Sequence, residues 1–172
     1  MFIATKDTKV IAIHETEWQC RRKAKGLSKP EYWTWLESVT TEDENGIKSY
    51  DFSGEDYEVV ETEVDVQGYQ QSGYITTSIE RITSYHLSWD GTTVSADDTA
   101  KEAYDLAEEW KRIRAERTRL LAETDWVVIK ARENGGQVPA AWKTYRVALR
   151  DLPAEQSDKT KYSEITWPTQ PS

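Results

Sequence analysis

Cysteine, methionine, histidine and phenylalanine are all scarce in this chain of 172 residues, which holds 1 Cys, 1 Met, 2 His and 2 Phe. A lone cysteine, Cys20, excludes an intramolecular disulfide and suits a reducing compartment. No motif places a His or Asn to make it a nucleophile. His14 and His86 lie far apart in strand-like stretches, and each reads as a half-exposed strand residue rather than a ligand. There is no phosphate-binding glycine loop, no CxxC, no His pair at helical spacing and no nucleophile elbow. The sequence therefore nominates no catalytic residue, no metal ligand and no cofactor. No apolar run is long enough to span a bilayer. The segment Met1–Ile13, interrupted by Lys6, Asp7 and Lys9, lacks the layout of a signal peptide. A soluble protein made in the cytoplasm, with no membrane partner, is the expectation.

Positive charge is scarce in the front half. Residues 1–97 hold 9 Lys/Arg against 18 Asp/Glu, whereas residues 98–172 hold 13 of each. The acidic excess is densest from Glu37 to Asp65. An acidic surface repels phosphate, so nucleic acid is excluded as a partner. The one basic cluster, Arg21, Arg22, Lys23, Lys25 and Lys29, reads as a solvated loop. The carboxylates from Glu55 to Asp65 lack the alternating ligand pattern and glycine turn of a calcium loop. They read as the solvent face of a strand, where acidic side chains also protect an edge against aggregation.

Tryptophan and tyrosine are plentiful, at 8 and 9. Both bury large area while keeping one polar atom wet, which suits small cores and interfaces alike. Met1–Ala4 and Val10–Ile13 predict two strands around a turn at Lys6–Lys9. Glu15–Gly26 is ambiguous. Ser28 can cap a short helix with Pro30 in its first turn and Tyr32, Trp33 and Leu36 on one face. Asn45-Gly46 marks a reversal. Tyr57–Val66 alternates as a half-buried strand, Tyr69–Gly73 reads as a Gln-rich loop, and Tyr74–Ile79 and Ile82–Trp89 are β-prone. Asp90-Gly91 then turns the chain so that Thr92–Ser95 can return as a hairpin.

Near Asp97 the pattern changes from period 2 to period 3.6. Asp97 can cap a helix reaching about Ala122. Its stripe of Ala103, Leu106, Trp110, Ile113, Arg117 and Leu120 fits packing on its own domain, or a coiled coil with a second copy or a client. A second helix is expected from Thr124, as cap, to about Asn134. A third should run from near Pro139 and stop by Pro153, with Trp142, Tyr145, Leu149 and Leu152 as its apolar face. Ala154–Tyr162 reads as polar linker and Ile165–Pro171 as an extended tail. The fold class is α+β. It comprises a β-rich domain over residues 1–96, a connecting amphipathic helix over 97–122 and a helical module over 123–172.

Within that last third, Trp126, Trp142, Tyr145 and Trp167 are the natural anchors of a small aromatic cluster. Arg146 and Arg150 lie one turn apart, and either could pair with Asp125 or Asp151. The aromatics either hold a helical hairpin together or dock part of their surface onto another protein.

The ordered pieces LLAETDW, W-x-x-YR-x-ALRDLP and ITWP, over about residues 119–172, resemble the C-terminal module of phage tail-assembly chaperones. Tail-fibre assembly proteins show a similar ending. The resemblance implies an assembly factor that binds the tail-fibre or receptor-binding protein and aids its folding or trimerisation without ATP. It would work in the host cytoplasm. The alternative is a structural component, a baseplate or tail-fibre adaptor, retained in the virion tail. A homo-oligomer and contact with baseplate proteins belong to the same set of expected partners. The partner-binding residues nominated are Trp110, Trp126, Trp142, Tyr145, Arg146, Arg150 and Trp167. A carboxylate-based hydrolase is a third class, but no facing pair of carboxylates is visible for it.

Overall fold

Asp7 and Thr8 both adopt positive φ, 48° and 66°. This is the mirror-image turn whose twist matches that of the strands it joins. It closes the expected hairpin of β1 (Phe2–Lys6) and β2 (Lys9–His14). The computed structural model describes residues 1–78 and 81–171. The chain divides into two units, Met1–Lys101 and Glu102–Ser172. The architecture is α+β, with an antiparallel sheet followed by helices.

In the first unit, β1 and β2 lie at the centre of a five-stranded sheet of order β5-β1-β2-β8-β9. The remaining strands are β5 (Glu58–Glu61), β8 (Leu87–Trp89) and β9 (Val94–Ala96). Ile3 pairs with Ile13 and Ala4 with Ala12, so the two pairs serve opposite faces. Ile3, Val10 and Ile13 join Ile75 and Leu87 in one buried cluster. Ala4 and Ala12 join Cys20 and Tyr57 in the other. The small alanines allow helix α1 (Glu17–Ala24) to lie close, and the Cys20 thiol donates to the Ala12 carbonyl at 3.7 Å. The opposite face carries the hairpin of β6 (Ile75–Ser78) and β7 (Arg81–Tyr85) and helix α3 (Val66–Gln71). The β reading of Tyr74–Ile79 is met over Ile75–Ser78, and Ile79 lies outside the described residues.

Several expectations for this unit are corrected. The basic cluster is not a loop. Arg21–Lys23 belong to α1, and Arg21 is buried, with its guanidinium 3.8 Å from the Phe52 ring centroid and 2.7 Å from Glu17. Basic residues near the end of α1 face the negative pole of the helix, which explains their place. The acidic strand is shorter than its alternation suggests. It ends at Glu61, and Val59 and Val60 pack into opposite clusters, because both sheet faces are covered. The Gln-rich stretch is α3, capped by the Asp65 carboxylate accepting from the Gly68 N–H at 2.9 Å. His86 is buried, not half-exposed. Its backbone bridges Tyr74 and Asp97.

Ser28 opens α2 (Lys29–Ser38) as expected, its N–H donating to Glu31 at 2.8 Å. The Asn45-Gly46 reversal joins β3 (Thr40–Glu42) to β4 (Lys48–Tyr50), with the Asp43 carboxylate accepting from the Asn45 and Ile47 N–H groups. The Asp90-Gly91 turn likewise returns β9 beside β8, pairing Trp89 with Val94.

Helix α4 (Asp98–Glu123) begins at the Asp97 cap, whose carboxylate accepts from the Ala100 N–H at 2.9 Å. In the second unit, Trp110 and Ile113 of α4 form a core with Leu152 and Ile165. The stripe is used only from Trp110 onward. Leu106 is 40 % exposed. α5 (Asp125–Glu133) ends before Gly135, which takes φ 63°. α6 (Ala140–Glu155) does not stop at Pro153 but runs through it. Pro153 lies in the last turn, so the bond it omits is the Leu149 carbonyl's, and Gln156 N–H still reaches Leu152 at 3.0 Å. Ala154 and Glu155 are therefore helical rather than linker. A single 3-10 turn, Tyr162–Glu164, precedes the extended tail.

Candidate functional site

The ordered motif pieces of the last third meet around one residue, Arg146. One guanidinium nitrogen donates to the Leu121 carbonyl at 2.8 Å and to the Thr124 hydroxyl oxygen at 2.6 Å. The other donates to Asp125 at 2.7 Å. Leu121 lies in the final turn of α4, where carbonyls lack helical partners and the dipole is negative, so a planar cation fits there. Thr124 is fully buried. It does not cap α5 with its side chain, as its sequence position suggests. Its hydroxyl turns back and donates to the Leu121 carbonyl at 2.9 Å. Thr124-Asp125 and Tyr145-Arg146 thus form the corner that fixes the α4–α5 junction against α6.

The aromatics divide into two groups rather than one cluster. Trp142 of α6 meets Trp126 of α5 edge to face at 6.0 Å and Tyr145 at 6.3 Å. Edge-to-face contact suits the ring quadrupoles. Tyr145 is buried, and burial raises the pKa of its phenol. Trp167 belongs to the second group. It tilts against Tyr162 at 5.7 Å and packs on the core that contains Trp110.

Two polar fasteners, invisible to motif reading, hold the tail. The Gln156 side chain donates to the Thr166 carbonyl and accepts from the Thr166 N–H, both at 2.8 Å. It imitates one rung of a strand ladder and fixes the ITWP segment. Glu109 accepts from the Tyr162 N–H at 2.7 Å. This bond and the nearby Arg112 hold its carboxyl below the ordinary glutamate range. The only available signal for either fastener was a polar residue one turn from an apolar face.

The seven nominated residues therefore serve different ends. Trp110 and Tyr145 lie in the interior, and Trp142, Arg146 and Trp167 are half-buried. Trp126 and Arg150 face solvent, and the Arg150 Nε–H donates to the Arg146 carbonyl at 3.2 Å. Sequence reasoning missed Ile129. It lies three residues after Trp126 on α5, and the pair is 55 % and 54 % exposed. Three-residue spacing puts both on one helix face, so α5 presents an apolar face to solvent. Val147 of α6 is also exposed.

Among the described residues no group of three or more His, Cys, Asp or Glu could hold a metal ion. No described helix is long and apolar enough to cross a membrane. No curated protein and no solved structure matches the chain. A family model does match, described as phage tail assembly chaperone protein, over residues 110–172. It begins at Trp110, where the α4 stripe becomes core, and takes in the Arg146 corner and the fastened tail. Residues 110–172, most of the second unit, are thus similar to phage tail assembly chaperone proteins.

Proposed function

We propose that this chain is a stoichiometric, nucleotide-independent assembly factor for the phage tail fibre. It binds the fibre or receptor-binding protein in the host cytoplasm and holds its unpaired apolar strands until they trimerise. Long β-rich fibres close distant contacts slowly and expose sticky edges meanwhile, so a reversible cover is the chemistry required. The observation that carries the reading is the match over residues 110–172, joined to the solvent-facing Trp126–Ile129 pair within it. The experiment is co-expression with the fibre gene from the same locus. The fibre alone should be largely insoluble or untrimerised, and this chain should rescue it without ATP. A fibre that folds equally well alone refutes the reading.

A second reading is favoured by the separate unit over Met1–Lys101, which has its own sheet core ahead of the matched segment. In that reading the chain is a baseplate or fibre adaptor retained in the tail. Fixed copy number in purified particles would support it over transient action.

A further inference from the structure

Among the described residues, the large exposed apolar side chains of the first unit lie on α2 and the β3–β4 hairpin. Trp33 of α2, Ile47 of the β3–β4 turn and Tyr50 of β4 are 43 %, 65 % and 48 % exposed. Monomeric surfaces seldom gather large exposed side chains this way without a use. Of the three, Trp33 and Tyr50 border a groove between α2 and one face of the β3–β4 hairpin. The register pairs Thr40 with Tyr50 and Glu42 with Lys48, so these four share a face. On the α2 side, Trp33, Leu36 and Glu37 share one face by their spacing. One end of the groove is a 360 Å³ cleft walled by Trp18, Tyr32, Trp33, Tyr50 and Phe52, with Arg21 in its floor. The other end is a 540 Å³ cleft shared by Glu37, Glu42 and Lys48. Trp33, Leu36 and Tyr50 border both.

The wall residues brace one another. Trp18 stacks on Trp33 at 5.4 Å, Tyr50 on Phe52 at 6.1 Å, and Arg21 sits over Phe52. Three cations of the unit already rest on its aromatic rings, among them Lys25 at 4.4 Å from Trp35. This is a preformed, largely aromatic slot beside an acidic mouth, on a half-chain whose acidic residues outnumber its basic ones two to one.

From this we infer that the groove is a docking site for an extended polypeptide segment of another protein. That segment carries an aliphatic or aromatic side chain for the slot and lysine or arginine for the mouth. Charge complementarity selects the basic partner: at the mouth Glu37 and Glu42 oppose one Lys48, and Arg21 in the slot is already paired with Glu17. A cation entering past Trp33 and Tyr50 also meets ring faces that attract it. The site lies outside residues 110–172 and does not depend on what the matched module binds.

The test uses the full chain and short fluorescent peptides that alternate leucine or tyrosine with lysine. Counterparts carry glutamate in place of lysine. Anisotropy should show the lysine peptide binding at least about tenfold more tightly than its glutamate counterpart. The preference should shrink as salt rises, because exposed charges are screened. Glu37→Lys with Glu42→Lys should abolish or reverse it, and Tyr50→Ser should weaken both peptides. All three positions are exposed, and circular dichroism identifies any variant that fails to fold. Equal binding of the two peptides, no binding of either, or a preference unchanged in the folded charge variant would overturn the inference. So would selective binding of a neutral oligosaccharide in place of peptide.

Discussion

Replacing Arg146 by Met keeps an unbranched apolar stem and removes the guanidinium donors. The structure gives those donors unequal weight. The bonds to the Leu121 carbonyl and the buried Thr124 hydroxyl lie in a half-buried corner. The Asp125 carboxylate is 57 % exposed at its side chain, and such an exposed ion pair contributes only about 0.2–1 kcal/mol. Hydrogen bonds made by a charged group contribute about 1.5–3 kcal/mol net, and two that share one nitrogen do not add. Arg146→Met should therefore cost the second unit about 2–4 kcal/mol, a large part of the roughly 5–15 kcal/mol typical of a domain. Asp125→Asn should cost at most about 1 kcal/mol. With two units in one chain, a global melt mixes two transitions. The assay is hydrogen exchange read on peptides covering residues 118–150. Protection there should fall in Arg146→Met and stay nearly unchanged in Asp125→Asn. Equal losses in the two variants would mean that the ion pair, not the grip on the α4 terminus, holds the corner. Unchanged exchange in Arg146→Met would refute the grip altogether.

Other outcomes follow from the same packing. Trp142→Ala should cost about 3–5 kcal/mol at full burial and less here because the ring is half-buried, whereas Glu61→Ala or Glu63→Ala should change stability by about 0.5 kcal/mol or less; hydrogen exchange read on peptides of each unit checks both. Gln156→Ala should raise exchange and proteolysis at residues 165–171 while leaving α6 protected. Burial pushes the Cys20 thiol up to about 11, so it should resist iodoacetamide at neutral pH in the native chain and react after unfolding. Thr8→Gly should stabilise by roughly 0.5–1 kcal/mol, because a β-branched residue at φ 66° bears a left-handed penalty that glycine lacks.

Local chemistry was legible at five turns and caps. Lys6–Lys9, Asn45-Gly46, Asp90-Gly91, the Ser28 start and the Asp97 cap all fall where the sequence places them. It was illegible where tertiary context overrode a short pattern. Val59–Glu61 alternates like a half-solvated strand, yet helix α1 and the β6–β7 hairpin cover opposite faces of the sheet, so adjacent valines are both packed. Arg21–Lys23 look like a solvated patch until Phe52, thirty-one positions away, supplies a ring for Arg21. Val66–Gln71 holds three glutamines but also Gly68, and six residues are too few for a helix to stand on propensity alone. Asp65 caps it and the sheet cluster accepts Val66 and Tyr69. No window of local periodicity contains those partners.

The site taught a different lesson, because most of its residues are recognisable for structural reasons. Thr124, Asp125, Tyr145 and Arg146 build the corner, and Trp110, Ile165 and Trp167 close the tail over the core. A motif made of such residues identifies the module without locating what it touches. The solvent-facing positions inside the match, Trp126, Ile129, Val147 and Arg150, lie between the motif's fixed points or beside them. Exposed side chains can vary with the partner at little cost to the fold, whereas the corner cannot. Partner choice is therefore expected to reside in those positions and in the first unit, where the largest gathering of exposed aromatics lies wholly outside the matched segment.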